Sequence, residues 1–442
     1  MMKKSLDIIG QLREKLIENG VSRDDLDRFD SVTSRRQFLT RMGGGGTALA
    51  LLGMGAGTEV ALRGLFGRGM IPAAWAQEAE NNEKIEGKPD MVIHNHRPVN
   101  GEFAPHLLND DITPIERHFV RNNGLVPERA VKQDSQGWAL TVDGEVHKTL
   151  KLSLDDLMQM PSVTYQACIE CGGNGRATFD PPVRGNPWDR GAIGCSEWTG
   201  VRMRDVLEHA GLKDSAVYTG HYGEDPPLGS APPFSRGIPV DKAMEEHTLI
   251  AYKMNGKPIH PQNGYPVRIV VPGWVGSASE KWLTRIWIRD KVHDAHKMTG
   301  YSYRNPEYPV VPGTRPPEEV MKILTAWQIK SLITRPAAET KAAVGDKIAV
   351  RGHAWAGENS VDKVLISTDY GITWKEASLT QPANKYAWYH FDSEVSFDGK
   401  GYYEIWARAF DQKGDAQPFR QPWNPKGYLG NVIHRVPVLI DV

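Results

Sequence analysis

The sequence predicts an α+β domain followed by an all-β sandwich. Three observations lead to this prediction. The chain has 442 residues, enough for two or three globular domains. Short capped helical segments are scattered among apolar strand-like runs in the middle of the chain. After about residue 330 the chain alternates apolar and polar residues, with turn sequences between the alternating segments and no helical segment.

Residues 1–76 resemble a cleaved twin-arginine export signal. Arg35 and Arg36 are followed by bulky apolar residues, and a Gly-rich apolar stretch runs from Gly43 to about Leu62. That stretch is too weakly apolar for a stable membrane span. Ala74-Trp75-Ala76 offers a cleavage site, so we expect a periplasmic mature protein. The alternative is a soluble helix with an accidental arginine pair. Twin-arginine export carries folded proteins, which favours a bulky cofactor inserted beforehand.

Charge and cysteine content exclude several classes of protein. Lys and Arg total 53 against 54 Asp and Glu, and residues 77–442 hold 42 against 46, a net charge of −4. This balance makes nucleic acid an unsuitable partner. The three cysteines, Cys168, Cys171 and Cys195, are too few for a disulfide framework.

The elements of the first domain can be placed individually. Residues 77–112 contain several prolines and are expected to be extended and loop-like. The domain itself is expected over residues 113–328. Its predicted elements are a hairpin over 138–152, a helix capped by Ser153, a helix over 203–210 closed by Gly211, and buried strands over 267–271 and 283–288. Residues 329–442 form the predicted sandwich, with strands over 347–355, 362–367, 386–391 and 402–409.

The segment Tyr165–Ala177 carries the most specific chemical signal. Cys168 and Cys171 form a C-x-x-C pair, which by itself suits a redox dithiol, half a zinc site or a haem attachment. Haem c attachment needs His after the second cysteine, where this chain has Gly172. A zinc site would lack sufficient ligands. A thioredoxin-like motif requires a helix after the cysteines, which the glycines after Cys171 break. A thiolate in a glycine loop beside Arg176 remains, with a merely structural cysteine as the alternative.

Several motifs in the same order resemble the sulfite oxidase family, in which one thiolate ligates the molybdenum of a molybdopterin cofactor. The segments that carry the resemblance are Cys171-Gly-Gly-Asn-Gly-Arg176, His118-Phe-Val-Arg-Asn-Asn-Gly124, Trp188 with Gly191-Ala-Ile193, Ala251-Tyr-Lys-Met-Asn-Gly-Lys-Pro258, Gly264-Tyr-Pro-Val-Arg-Ile-Val-Val-Pro-Gly273, Lys281-Trp-Leu283 and Pro422-Trp-Asn-Pro-Lys-Gly427. The resemblance implies a molybdopterin-binding catalytic domain followed by an immunoglobulin-like domain that forms a homodimer.

The resemblance also implies roles for individual residues. Cys171 is the expected molybdenum ligand, a soft thiolate suited to that metal. Residues expected to form the substrate pocket are Arg121, Arg176, Trp188, Lys426 and a tyrosine, which by spacing from Trp282 is Tyr301 or Tyr303, with Tyr301 preferred. Residues expected to bind the cofactor are Asn122, Asn123, Asp225, Asn263, Arg268 and Lys281.

Three positions depart from the pattern of the sulfite oxidases proper. Asn123 and Asn263 stand where histidines that bond the pterin are usual, and Lys426 stands where a third pocket arginine is usual. Lysine offers a point charge in place of a two-pronged anchor. These changes and the export signal resemble the sulfane (sulfite) dehydrogenases of bacterial thiosulfate oxidation, whose substrate sulfur is carried on a partner protein.

The resemblance implies oxygen-atom transfer from water to sulfite or to protein-bound sulfane sulfur. No haem or dinucleotide motif accompanies the molybdopterin motifs, so we expect a separate c-type cytochrome, as acceptor or subunit, to take the electrons. The other expected partners are a second copy of the chain, in a homodimer, and a sulfur-carrier protein that presents the substrate. The alternatives are a sulfoxide reductase of the same fold and a non-catalytic exported binding protein.

Overall fold

A computed structural model of the chain describes residues 85–441. The export signal expected at residues 1–76 lies outside these residues. Among the residues described, no helix is long and apolar enough to cross a lipid bilayer.

The segment before the first domain contains a small antiparallel sheet, where the sequence analysis predicts only an extended loop. Its strands pair in the order β1-β2-β3. They are β1 (Val92–His96), β2 (Val99–Glu102) and β3 (Val120–Arg121), with short 3-10 turns at Pro105–Leu108 and Ile115–Arg117. The prolines do not prevent strand formation in this extended segment, because they occupy the turns. Pro98 lies between β1 and β2, and Pro105 begins a 3-10 turn.

The first domain is built from short elements. In chain order they are α1 (Glu128–Lys132), β4 (Ala139–Gly144), β5 (Leu150–Ser153), α2 (Leu154–Gln159), β6 (Ser162–Glu170), β7 (Ile193–Arg202), α3 (Met203–Ala210), β8 (Tyr218–Gly223), β9 (Ser235–Pro239), α4 (Val240–Ala243), β10 (Leu249–Met254), β11 (Lys257–Pro258), β12 (Arg268–Val270) and β13 (Leu283–Arg289).

The predicted helix boundaries are confirmed. Ser153 caps α2 in a capping box: its hydroxyl accepts from the backbone N–H of Asp156, and the Asp156 carboxylate accepts from the backbone N–H of Ser153. Gly211 ends α3 with a positive φ of 69°. The predicted hairpin is also confirmed, as β4 paired antiparallel with β5.

Two five-stranded sheets form the framework of the first domain. One is antiparallel, with the order β11-β10-β7-β6 and β12 also paired to β10. The other has the order β5-β4-β13-β8-β9, in which β4 and β13 run parallel. The end of β6 and the loop before β12 approach each other at the candidate site described below.

The second domain is the predicted β-sandwich. A two-stranded ribbon of β14 (Arg304–Pro306) and β15 (Met321–Ile323) precedes it. One sheet has the order β16-β18-β22-β21 and the other β17-β24-β23-β19-β20. Their bounds are β16 (Lys330–Arg335), β17 (Thr340–Ala342), β18 (Ile348–Trp355), β19 (Val361–Ser367), β20 (Lys375–Glu376), β21 (Ser378–Thr380), β22 (Tyr389–Val395), β23 (Gly401–Asp411) and β24 (His434–Ile440).

The apolar core of residues 85–441 includes a cluster that the two domains share. One large buried cluster belongs to the first domain and another fills the sandwich. A third cluster joins Cys168 and Cys195 of the first domain to Trp355 and Trp388 of the sandwich. Because burying such large aromatic side chains contributes strongly to stability, the sandwich is anchored to the first domain.

Candidate functional site

The candidate site is a pocket in the first domain. Polar and charged side chains make up much of its wall. The lining residues are His118, Phe119, Arg121, Asn123, Ile169, Cys171, Gly172, Asp225, Phe234, Asn263, Arg268, Gly276, Ser277, Ser279, Glu280, Lys281, Trp282 and Tyr303.

Cys171 reaches the pocket because it is the first residue after β6. Its backbone N–H donates to the carbonyl of Ala192 at 2.9 Å, and its own carbonyl accepts from the N–H of Asn174 at 2.8 Å. The Gly173 N–H lies 3.4 Å from the Cys171 sulfur. Burial raises the pKa of the Cys171 thiol, while the positive charges of Arg121 and Arg176 oppose that rise. A cationic metal would favour the thiolate further.

Glycine is required at position 173 by a close approach. A Cβ at Gly173 would lie 2.4 Å from the Arg176 guanidinium. That guanidinium is fixed, since its Nε donates to the carbonyl of Lys426 at 3.0 Å and its Nη1 to the carbonyl of Asn186 at 3.0 Å. The glycine loop therefore holds Arg176 close to Cys171, as the sequence predicts.

Arg121 and Asn123 face the pocket around one phenol. Arg121 Nη2 donates to Asn123 Oδ1 at 2.8 Å and lies 3.3 Å from the Tyr303 hydroxyl. The amide nitrogen of Asn123 also lies 3.3 Å from that hydroxyl. The Tyr303 ring stacks on Tyr428 with centroids 5.6 Å apart. Tyr303 is thus fixed as part of the pocket wall.

The preference for Tyr301 as the pocket tyrosine is wrong. The Tyr301 hydroxyl donates to the carbonyl of Pro316, and the Arg315 guanidinium lies 4.6 Å from the centroid of its ring. Tyr303, two residues further on, has a φ of 52° and is buried. This left-handed backbone conformation belongs to a turn whose side-chain directions the spacing from Trp282 could not supply.

Lys426 and its neighbours add positive charge beside Arg176. Burial, followed by the charges of Arg176 and Lys297, lowers the pKa of the half-buried Lys426, and Arg315 and Arg184 act in the same direction. Lys297 contributes more than charge, because its carbonyl accepts from Arg236, whose guanidinium lies 5.1 Å from the centroid of the Tyr303 ring. This side of the site favours an anion.

Arg268 and Lys281 form a second group of cations in the pocket wall. Arg268 donates to the carbonyl of Asn263 at 2.7 Å and to that of Ser279 at 3.0 Å, and burial lowers its pKa to about 9. Lys281 Nζ donates to the carbonyl of Gln262 at 2.8 Å and also to the side-chain oxygen of Asn122. Burial, together with repulsion from Arg268, lowers the pKa of Lys281 well below its usual range. A bound phosphate would relieve this repulsion.

Two carboxyl groups lie beside these cations. Burial raises the pKa of Asp225 to about 6, although Lys281 opposes that rise. Burial, with the charge of Asp225, raises the pKa of Glu280 well above its usual range. A protonated carboxyl can both donate and accept hydrogen bonds, which suits a polar heterocycle.

Buried polar atoms without hydrogen-bond partners indicate whether the pocket suits a pterin. Within residues 85–441, four lining side chains have such atoms: His118 Nε2, Asn263 Oδ1, Ser277 Oγ and Glu280 Oε2. Buried polar groups normally have partners, because an unmade hydrogen bond costs about 1–3 kcal/mol. These atoms could pair with the ring nitrogens, amino group and carbonyl of a pterin, and Arg268 and Lys281 could pair with its phosphate. The residues present therefore fit the cofactor.

The structure brings seven of the twelve predicted site residues to the pocket wall: Arg121, Asn123, Cys171, Asp225, Asn263, Arg268 and Lys281. Arg176 and Lys426 lie next to it. Asn122 lies behind the wall, where it bonds Lys281. Trp188 is not a lining residue, since it is 1% exposed and packs in the apolar cluster that includes Cys171.

Ten lining residues have no role predicted from the sequence, and His118, Glu280 and Phe234 are examples. His118 lies within one of the motifs given above, and Glu280 directly precedes Lys281. Their positions in the sequence could therefore have identified both as candidate site residues. Phe234 had no such indication in the sequence, because it reaches the pocket from a loop far from every motif.

The C-x-x-C pair does not form a dithiol. Cys168 pairs with Cys195 across β6 and β7 and packs in the cluster shared with the sandwich, while Cys171 faces the pocket. All three cysteines are free. Among the described residues, no group of three or more His, Cys, Asp or Glu side chains is placed to hold a metal.

Comparisons with known proteins agree with this geometry. The model of an oxidoreductase molybdopterin-binding domain matches residues 125–297, and that of a Mo-co oxidoreductase dimerisation domain matches residues 321–441. Mitochondrial sulfite oxidase from Rattus norvegicus is 33% identical over 84% of this chain and 69% of its own length, and the one from Drosophila melanogaster is 31% identical over 84% and 66%. The chain spans about two thirds of the length of these relatives.

A solved structure has the same fold. The crystal structure of the sulfane dehydrogenase SoxCD from Paracoccus pantotrophus matches with a TM-score of 0.66 and 25% identity, over 85% of this chain and 94% of that chain. The match therefore includes both the domain that holds the pocket and the sandwich.

Proposed function

The chain belongs to the sulfite oxidase family of molybdopterin-binding oxidoreductases, and on this premise we propose that it oxidises sulfite or a protein-bound sulfane sulfur. The observation that carries the proposal is the position of Cys171, a lone thiol in the wall of a cation-rich pocket. For sulfite, one water and one sulfite give sulfate, two protons and two electrons. A bound molybdenum cofactor supplies oxygen-atom transfer and accepts the two electrons.

The residues of this chain would hold the cofactor by three kinds of contact. The thiolate of Cys171 would ligate the metal. Arg268 and Lys281 would pair with the phosphate, while Asn263 and Glu280 offer unpaired buried acceptors to the pterin N–H groups. Each group is already fixed by backbone contacts or by burial, which limits the reorganisation needed upon binding.

The substrate would be held by the other positive charges of the site, those of Arg121, Arg176 and Lys426. Arg121 and Arg176 offer planar guanidinium groups, which suit the oxygens of a sulfur oxyanion. Lys426 adds a positive charge at the same side. The Tyr303 hydroxyl, 3.3 Å from Arg121, is placed to hold a proton or donate a hydrogen bond to the same oxygens.

We further infer that the enzyme is exported and passes its electrons to a c-type cytochrome. Arg35-Arg36 and the apolar stretch behind them support export by the twin-arginine pathway. The net charge of −4 for residues 77–442 favours a basic redox partner. The match of residues 321–441 to a dimerisation domain supports a homodimer through the sandwich. We propose that the enzyme binds one molybdenum per chain and that this chain holds no haem.

Replacement of the expected metal ligand tests the proposed function. We expect Cys171→Ser to abolish sulfite-dependent cytochrome c reduction while the protein still binds the pterin, because the phosphate anchors are unchanged. Cys168→Ala is the matched control, since that thiol packs away from the pocket. Turnover at the wild-type rate in Cys171→Ser would contradict the assignment of the ligand.

Removal of one guanidinium tests the anion pocket. We expect Arg176→Gln to raise the KM for sulfite roughly 10- to 100-fold, because a hydrogen bond to a charged group contributes about 1.5–3 kcal/mol. Arg435→Gln is the control. The Arg176 guanidinium lies over the Tyr428 ring and donates to carbonyls, and the Arg435 guanidinium likewise lies over the Trp406 ring and donates to a carbonyl, but in the sandwich. An unchanged KM in Arg176→Gln would exclude Arg176 from substrate binding.

The two tyrosines can be distinguished by the same substitution. Tyr303→Phe should lower kcat/KM on the order of tenfold, because it removes a hydroxyl from the contacts with Arg121 and Asn123. Tyr301→Phe should leave kcat/KM near the wild-type value, since its hydroxyl bonds a carbonyl outside the pocket. Steady-state kinetics with sulfite measure both, and the opposite pattern would overturn the placement of Tyr303.

A further inference from the structure

A buried ion pair joins the cysteine loop to the sandwich. Lys330 Nζ lies 2.7 Å from Glu170 Oε1, and the two side chains are only 5% and 6% exposed. Glu170 is the last residue of β6 and directly precedes Cys171. Lys330 is the first residue of β16, so the pair connects the two domains next to the expected metal ligand.

The Glu170 carboxylate has additional donors. Asn174 Nδ2 donates to the same Oε1 at 2.8 Å, and Trp355 Nε1, from β18 of the sandwich, donates to Oε2 at 2.7 Å. Lys330 also donates to the carbonyl of Asn174 at 3.2 Å. Removing two charges from water costs free energy, and a buried ion pair is stable only when such complete hydrogen bonding compensates for that cost.

The network holds the cysteine loop on both sides. Glu170 precedes Cys171 and Asn174 follows it three residues later, and both are bonded to Lys330. Between them, the carbonyl of Gly172 accepts from the N–H of Leu429, in the segment before β24, at 2.8 Å. The loop that presents Cys171 is therefore fixed by contacts from the second domain.

We propose that Lys330 and Trp355 of the sandwich position the Cys171 thiol by acting through Glu170. The sandwich is then a structural part of the metal site, in addition to its role as a dimerisation domain. Glu170 is a positioning residue because it acts on the backbone before the ligand. The inference rests on the proposed function in one respect, namely that Cys171 is the ligand.

The test measures the exposure of the Cys171 thiol in the full chain produced without cofactor. The limiting alkylation rate by iodoacetamide at high pH is followed by mass spectrometry, with the buried Cys168 and Cys195 as internal reporters of unfolding. We expect Trp355→Phe and Glu170→Gln to raise the limiting rate at Cys171 on the order of tenfold, with Cys168 and Cys195 still protected. Trp355→Phe leaves the charges of Glu170 and Lys330 in place. At the high-pH limit the thiol is ionised, so the alkylation rate reports the exposure of Cys171 and not a change in its pKa.

Glu358→Gln provides a matched control. Glu358 Oε1 accepts from Lys242 at 3.0 Å and from Trp274 at 2.8 Å, so it joins the same two domains through a lysine and a tryptophan. Within the described residues, neither the Glu358 side chain nor that of Lys242 is bonded to residues 170–175. We expect Glu358→Gln to leave the Cys171 rate unchanged even if the melting temperature falls.

Two results would overturn the proposal. One is a wild-type rate at Cys171 in both Trp355→Phe and Glu170→Gln, and the other is an equal rise at all three cysteines, which would indicate global unfolding. Failure of the proposed function would look different. In that case Cys171→Ser would retain sulfite oxidation, whereas the alkylation rates would still show the positioning effect.

Discussion

Backbone carbonyls hold the cations of the pocket in place, and the chemistry of the site depends on this arrangement. Arg268 donates to the carbonyls of Asn263 and Ser279, Lys281 to that of Gln262, and Arg176 to those of Lys426 and Asn186. A carbonyl fixes a guanidinium without neutralising it. The pocket therefore keeps a positive field that is ready for a phosphate at one end and an oxyanion at the other.

This arrangement requires the rest of the fold. The carbonyls belong to loops between strands, and those loops are held by the sheets and by the apolar cluster that both domains share. The acidic groups nearest the cations, Asp225 and Glu280, have pKa values raised by burial, so they oppose the positive charge less than ordinary carboxylates would. The lone thiol of Cys171 then lies where the charges of Arg121 and Arg176 favour its thiolate form and would stabilise a bound anion.

Much of the fold could be predicted because its signals are local. The Ser153 cap, the Gly211 stop and the alternation of the sandwich strands depend on neighbouring residues, and the structure confirms them. The loop after Cys171 was predictable for the same reason. Tyr303 was not, because its contact with Arg121 joins residues 182 positions apart through a turn with positive φ. The Glu170–Lys330 pair, separated by 160 positions, also has no local signal.

We propose that this chain binds one molybdenum cofactor and uses it to oxidise sulfur. The most direct measurement is the molybdenum content of the purified full chain, determined together with sulfite-dependent reduction of cytochrome c. We expect about one molybdenum per chain and electron transfer from sulfite, or from a carrier-bound sulfane sulfur where free sulfite is inactive. Protein without molybdenum, from cells that make the cofactor and export through an intact twin-arginine pathway, would contradict it.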